Sequence, residues 1–139
     1  MKARPVFSFQ LNYFLCAVFL FCIEVLIAVY VHDRIIRPYI GDLLVVIFLY
    51  ALLKSFWDLP VLTAALSVLL FSYVVELSQW AGFINYIGLE QSQLANIVLG
   101  NSFEWIDILA YTAGTLCIVV IEWYRSKHAQ PYSLTNMPE

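Results

Sequence analysis

Apolar residues fill four stretches of this chain, and polar residues collect in the breaks between them. The runs lie at about 11–31, 39–57, 61–80 and 105–124. Each is about 20 residues long, which a helix rising about 1.5 Å per residue needs to cross a hydrocarbon layer about 30 Å thick. The pattern predicts an all-α membrane protein: a four-helix transmembrane bundle with a short interfacial segment between spans three and four. Residues 1–139 make one integral membrane domain, ending in a polar tail at 125–139. Tyr13, Phe14, Tyr30, Tyr39, Trp57, Trp105 and Tyr124 mark the span edges, where aromatic rings settle at membrane–water interfaces.

The breaks carry their own instructions. His32 to Asp42 holds Asp33, Arg34, Arg37, Pro38 and Gly41; Pro38 biases Arg37 toward extended chain leading into the second span. Asp58-Leu59-Pro60 is a tight connection in which Asp58 is placed to cap the third span and Pro60 suits a first helical turn. Ala81 to Glu104 is the longest break and contains no lysine or arginine. Its Leu89, Leu94, Ile97 and Val98 predict a short helix at the membrane surface, either a connector or a lid. Lys2 and Arg4 precede the first run as in a signal peptide, but a run of about 21 residues exceeds an h-region of about 7 to 15, so a retained span is expected.

Composition narrows the class further. Sixty-three per cent hydrophobic residues, 12% charged residues and a mean hydropathy of +0.83 exclude an ordinary soluble domain, in which about a quarter of residues are charged. Cys16, Cys22 and Cys117 lie inside apolar runs without CxxC spacing. They read as core-packing thiols, so neither a metal nor a cofactor is expected. With four spans, Lys2, Arg4, Lys54, Arg125 and Lys127 share one side and Arg34 and Arg37 the other. The positive-inside rule places both termini in the cytoplasm.

The candidate chemistry comes from polar residues set within the runs. A carboxylate near a helix centre costs about 2.5 to 3.5 kcal/mol in a bilayer and normally faces protein or water. Glu76 lies about four residues from the end of span three, on one stripe with Ser72 and Gln79. Glu24 lies about seven residues from the end of span one, with Ala17 and Ala28 near its face. Asp107, Tyr111 and Gly114 form a stripe in span four, and glycine there permits close helix approach. Up-and-down topology brings Glu24, Arg34, Arg37, Asp42, Glu76, Gln79, Asp107 and Tyr111 into one outer layer, the candidate ligand-binding set. Four carboxylates cannot all be ionised in a poorly hydrated pocket: either the arginines pair with some, or one keeps its proton. Other readings stand beside this one: Asp42 and Asp107 as helix caps, and Glu24 as an arginine's structural partner. Lys54 and Glu122 are expected to be solvated at the interface, Lys54 by extending its stem.

The blocks Arg37-Pro38-Tyr39-Ile40-Gly41-Asp42, Glu76-Leu77-Ser78-Gln79, and Gly100 followed by Phe103 to Tyr111 resemble an uncharacterised bacterial family of small integral membrane proteins. More distantly they resemble the VanZ-like proteins, whose pattern includes Glu-x-x-Gln at the end of one span and Asp-x-x-x-Asn-x-x-Gly in the next. Glu76 and Gln79 match the first part, Asp107 and Gly114 the second, and Tyr111 stands where that pattern has Asn. The resemblance implies a protein of the bacterial cytoplasmic (inner) membrane, some of whose relatives are linked to glycopeptide-antibiotic resistance, with no agreed reaction. The expected function is binding of a lipid head group or cell-wall ligand, with Arg34 and Arg37 taking phosphate or carboxylate. The alternatives are a structural subunit of a membrane complex and a lipid-modifying enzyme whose carboxylates do acid–base work; no nucleophile–base pair or phosphate loop supports the enzyme. Membrane lipids, a homo-oligomer or a membrane protein are the expected partners, and nucleic acid is not.

Overall fold

Each apolar run folds as one helix, because hydrocarbon offers no water to a backbone N–H or C=O and a helix satisfies both within the segment. The computed structural model describes residues 7–33, 35–99 and 103–129. Across them the chain forms α1 Leu11–Tyr30, α2 Ile36–Phe56, α3 Val61–Trp80, the short α4 Phe83–Tyr86 and α5 Gln93–Leu99, and α6 Trp105–His128. α1, α2, α3 and α6 are each long and apolar enough to cross a membrane. No strand occurs among the described residues, so the fold is the all-α four-helix arrangement the hydrophobic pattern predicts.

Local chemistry shifts several boundaries from the apolar runs. α2 starts at Ile36, with Arg37 and Pro38 already helical; a first-turn proline lacks only an N–H that would have no helical partner. Just ahead, the Ile35 N–H donates to Asp33 Oδ1 at 2.9 Å. Asp42 consequently lies inside the helix and does not cap it. Asp58 does not cap α3 either: Pro60 occupies that position, without a side-chain capping bond. α3 ends where Gly82 adopts a φ of 64°, and Gly82 N–H donates to the Gln79 carbonyl at 3.0 Å, a left-handed stop that favours glycine. α6 runs on to His128, and Arg125, Lys127 and His128 in its last turn suit the negative end of the helix dipole.

α2 is the central strut. It packs against α1, α3 and α6, and α6 also packs on α3. The shared core consists of Val46, Tyr50, Ala64, Ala65, Val68, Tyr111 and Ile118; small residues such as Ala64 and Ala65 let helices approach closely where no hydrophobic effect drives them together. Gly114 is the tightest point, because a Cβ there would lie 2.9 Å from the Leu43 carbonyl oxygen and 3.4 Å from Val46 Cβ. α1 leans on α2 through ring pairs such as Phe21–Phe48 at 6.0 Å and Tyr13–Tyr50 at 6.3 Å. Ala17 and Leu20 are buried on that side, whereas Ala28 is exposed.

Elsewhere the helices present apolar surface outward, including Phe19, Leu70, Leu109 and Val120, as a protein solvated by lipid requires. Cys16, Cys22 and Cys117 belong to this exterior: all three are free and exposed, which corrects the expectation of core thiols. Lipid tails are as apolar as a core, so a thiol is tolerated equally on either side of the helix. At the end carrying the termini, Ser8 and Gln10 donate backbone bonds of 2.9 and 2.8 Å to the Phe56 and Ser55 carbonyls. They satisfy carbonyls that the last turn of α2 leaves without helical partners.

Replacing Gly114 by Ala sets a methyl group against the backbone of α2, which cannot yield as a side-chain tip would. Overpacking of this kind costs about 1–3 kcal/mol, so the unfolding midpoint in detergent is expected to fall. An unchanged midpoint would mean that α2 and α6 are not held at this separation.

Candidate functional site

The four spans place the end of α1, the start of α2, the end of α3 and the start of α6 together, and each brings one carboxyl. Glu76 is the most enclosed side chain of the group, 1% exposed. Tyr111 Oη donates to its Oε1 at 3.0 Å, tying α6 to α3. Its other oxygen, Oε2, is buried without a hydrogen-bond partner among the described residues. Asp42 from α2 and Asp107 from α6 are near enough for each carboxyl to act on the other, and Glu76 and Glu24 are close enough for their charges to act on Asp42.

Glu24 completes the group from α1. Its Oε1 is also buried without a partner, and its Oε2 would lie 3.8 Å from a Cβ placed on Gly41. Glycine at that position keeps the α2 surface open beside Asp42. The α2–α6 contact at Gly114 also falls on Leu43, the residue after Asp42. Close backbone approach there holds α2 and α6 together about two turns along α6 from Asp107.

The remaining candidates fall outside this contact. Arg37 is exposed on the first turn of α2 and enters no ion pair among the described residues. Arg34 lies outside the described residues. Gln79 is half-buried, and its side chain makes no hydrogen bond among the described residues. Ser72 is buried but returns its hydroxyl to the Val68 carbonyl of its own helix at 3.0 Å. The structure therefore brings together Glu24, Asp42, Glu76, Asp107 and Tyr111, and the cluster they make is acidic. Among the described residues no group of three or more His, Cys, Asp or Glu side chains is arranged to hold a metal ion.

A second polar cluster lies at the opposite end, where solvated side chains were expected. Glu122 Oε1 accepts from Tyr13 Oη at 2.7 Å, Tyr50 Oη at 3.2 Å and Arg125 at 3.3 Å. Lys54 is 6% exposed and donates to the Leu59 carbonyl at 2.6 Å, so it holds the α2–α3 turn instead of reaching water. Tyr13, Tyr50 and Arg125 were absent from the expected site. Glu122 lies two turns inside the end of α6, and the depth rule that singled out Glu76 could have found it. Its tyrosine donors carried no such signal, because a tyrosine near a span edge also fits an interfacial belt.

Fold and cluster together define a four-span helical membrane protein with acidic side chains gathered between its spans. The chain belongs to the family described as Protein of unknown function (DUF2809), which matches residues 31–115. The matched stretch contains Asp42, Glu76, Asp107, Tyr111 and Gly114; Glu24 and Glu122 lie outside it. No curated protein and no solved structure matches the chain.

Tyr111→Phe removes the only hydroxyl that meets Glu76 among the described residues. A buried acceptor left without its donor costs about 1–3 kcal/mol. The expected result is reduced stability in detergent, with much of the loss recovered in a Tyr111→Phe, Glu76→Leu double variant that leaves no carboxyl to satisfy. A Tyr111→Phe protein as stable as the parent would show that the bond contributes nothing.

Proposed function

We propose that this is a protein of the bacterial cytoplasmic membrane that binds a lipid head group or cell-wall-related ligand through the acid cluster, VanZ-like in kind, with both termini in the cytoplasm. The observation that carries the reading is Glu76, buried in a span with one carboxyl oxygen unpartnered and with Asp42 and Asp107 nearby. Such an arrangement is costly in hydrocarbon unless a ligand, water or proton completes it. The chemistry differs from the phosphate capture expected of Arg34 and Arg37. Arg37 is exposed and pairs with no carboxyl among the described residues, so the complementary ligand group is a donor-rich cation such as a primary ammonium, bonded by several acceptors at once.

The proximity of Asp42 and Asp107 also favours a second reading, a lipid-modifying enzyme, because two neighbouring carboxyls can supply an acid and a base in one place. The two readings separate on Asp107→Asn: an enzyme keeps ligand affinity and loses turnover, whereas a binding protein loses affinity.

Binding is measured with the full chain in nanodiscs against phosphatidylethanolamine, whose ammonium donates hydrogen bonds, and phosphatidylcholine, whose quaternary ammonium cannot. The ethanolamine lipid is expected to bind more tightly, and Glu76→Gln to weaken it by about tenfold or more, the loss of one charge-assisted bond. Equal binding of both lipids, unchanged by Glu76→Gln, would reject the reading. For topology, a C-terminal fusion to a reporter active only in the cytoplasm is expected to be active; activity only from a periplasmic reporter would reverse the orientation.

A further inference from the structure

Two clefts meet at the end of the bundle that carries the termini, opposite the acid cluster. The deeper one, about 330 Å³, lies in the seam between α1 and α6 with α2 as its floor, walled by Cys16, Ile47, Ala51, Ile118 and Ile121, with Tyr50 and Glu122 also on its lining. The outer one, about 450 Å³, lies at the helix ends against Gln10, Leu11, Asn12, Tyr13 and Arg125. Asn12, Tyr13 and Arg125 border both. The result is one chamber that is apolar at depth and polar at its mouth, within the volume range of ligand sites.

Charge at the mouth selects the sign of a guest. The Arg125 side chain is 57% exposed and gives one nitrogen to Glu122 at 3.3 Å, with its guanidinium 5.6 Å from the centre of the Tyr13 ring. A guanidinium carries five N–H donors, so one bond to Glu122 leaves others for an anion. The charge of Glu122 is at the same time shared by the hydroxyls of Tyr13 and Tyr50. Lys127 and His128 follow on the last turn of α6. Leu15 and Val120, each next in sequence to a residue that lines the seam, turn apolar surface outward.

We propose that this chamber seats one anionic phospholipid of the surrounding bilayer, with an acyl chain in the α1–α6 seam and its phosphate on Arg125. A bilayer lipid is the occupant that supplies a long apolar chain at depth and an anion at the mouth together. An arginine at a membrane surface contributes about 1 kcal/mol toward an anionic lipid, which corresponds to a preference of about fivefold.

The test is native mass spectrometry of the full chain from nanodiscs of phosphatidylglycerol or phosphatidylcholine with matched chains. One phosphatidylglycerol is expected to stay bound at collision energies that strip phosphatidylcholine. Arg125→Gln should lower that retention about fivefold, Arg125→Lys should restore most of it, and Cys16→Phe, which fills the seam from a lipid-exposed position, should remove it. Equal retention of the two lipids by the parent protein, or retention unaffected by both Arg125→Gln and Cys16→Phe, overturns the proposal. Displacement of phosphatidylglycerol by an equimolar free fatty acid overturns the choice of a phospholipid. Because the site lies at the other end from Glu76, these results are independent of ammonium binding there.

Discussion

The hydrogen bond from Tyr111 to Glu76 links the wall of the candidate site to the packing of the helices. A carboxyl inside an apolar span cannot face lipid cheaply, so α3 must turn Glu76 toward a neighbour that offers a donor. Tyr111 supplies it from α6 at 3.0 Å, and this choice decides which face of α6 points inward. Asp107 and Gly114 share that face with Tyr111. Asp107 thereby comes near Asp42, and Gly114 lets α2 come against α6 at the Leu43 carbonyl. One buried acid and one phenol therefore orient three of the four spans.

The carboxyls of the two polar clusters differ in a way that separates structural from receptive acids. Glu122 receives three donors on one oxygen, from α1, α2 and its own helix, and it fastens α1, which otherwise depends on α2, to the rest of the bundle. Glu76 and Glu24 each keep a buried oxygen without a partner among the described residues. A satisfied acid stabilises the fold, whereas unsatisfied acids grouped around a carboxyl pair carry a desolvation cost that a bound donor can offset. Arg37, the cation nearest in sequence, is turned outward, which leaves the group acidic.

Much of the helical frame was legible along the chain because hydrocarbon imposes one solution on an apolar run of about twenty residues. The stripe of Asp107, Tyr111 and Gly114 could be read because residues at i, i+4 and i+7 share a helical face in any environment. Other details depended on competing local effects. Pro38 fits a first turn as readily as extended chain, so Arg37 proved helical. The cysteines proved exposed, since apolar periodicity cannot tell core from bilayer when both are apolar. Lys54 proved buried because the Leu59 carbonyl, five residues on, met its ammonium.

The amino-acid sequence by itself determined four apolar helices and how far each carboxyl lies from the end of its helix, because these follow from the length of the runs and from helical rise. Only the tertiary structure decided which side chains meet at a given depth. Rotation of each helix about its own axis is set by contacts with neighbours, such as Gly114 on Leu43 and Tyr111 on Glu76, and those contacts join residues far apart in the chain. For that reason Arg37 and Gln79 make no side-chain bond to the acids among the described residues, while Tyr13 and Tyr50, with no evident chemical signal of their own, converge on Glu122.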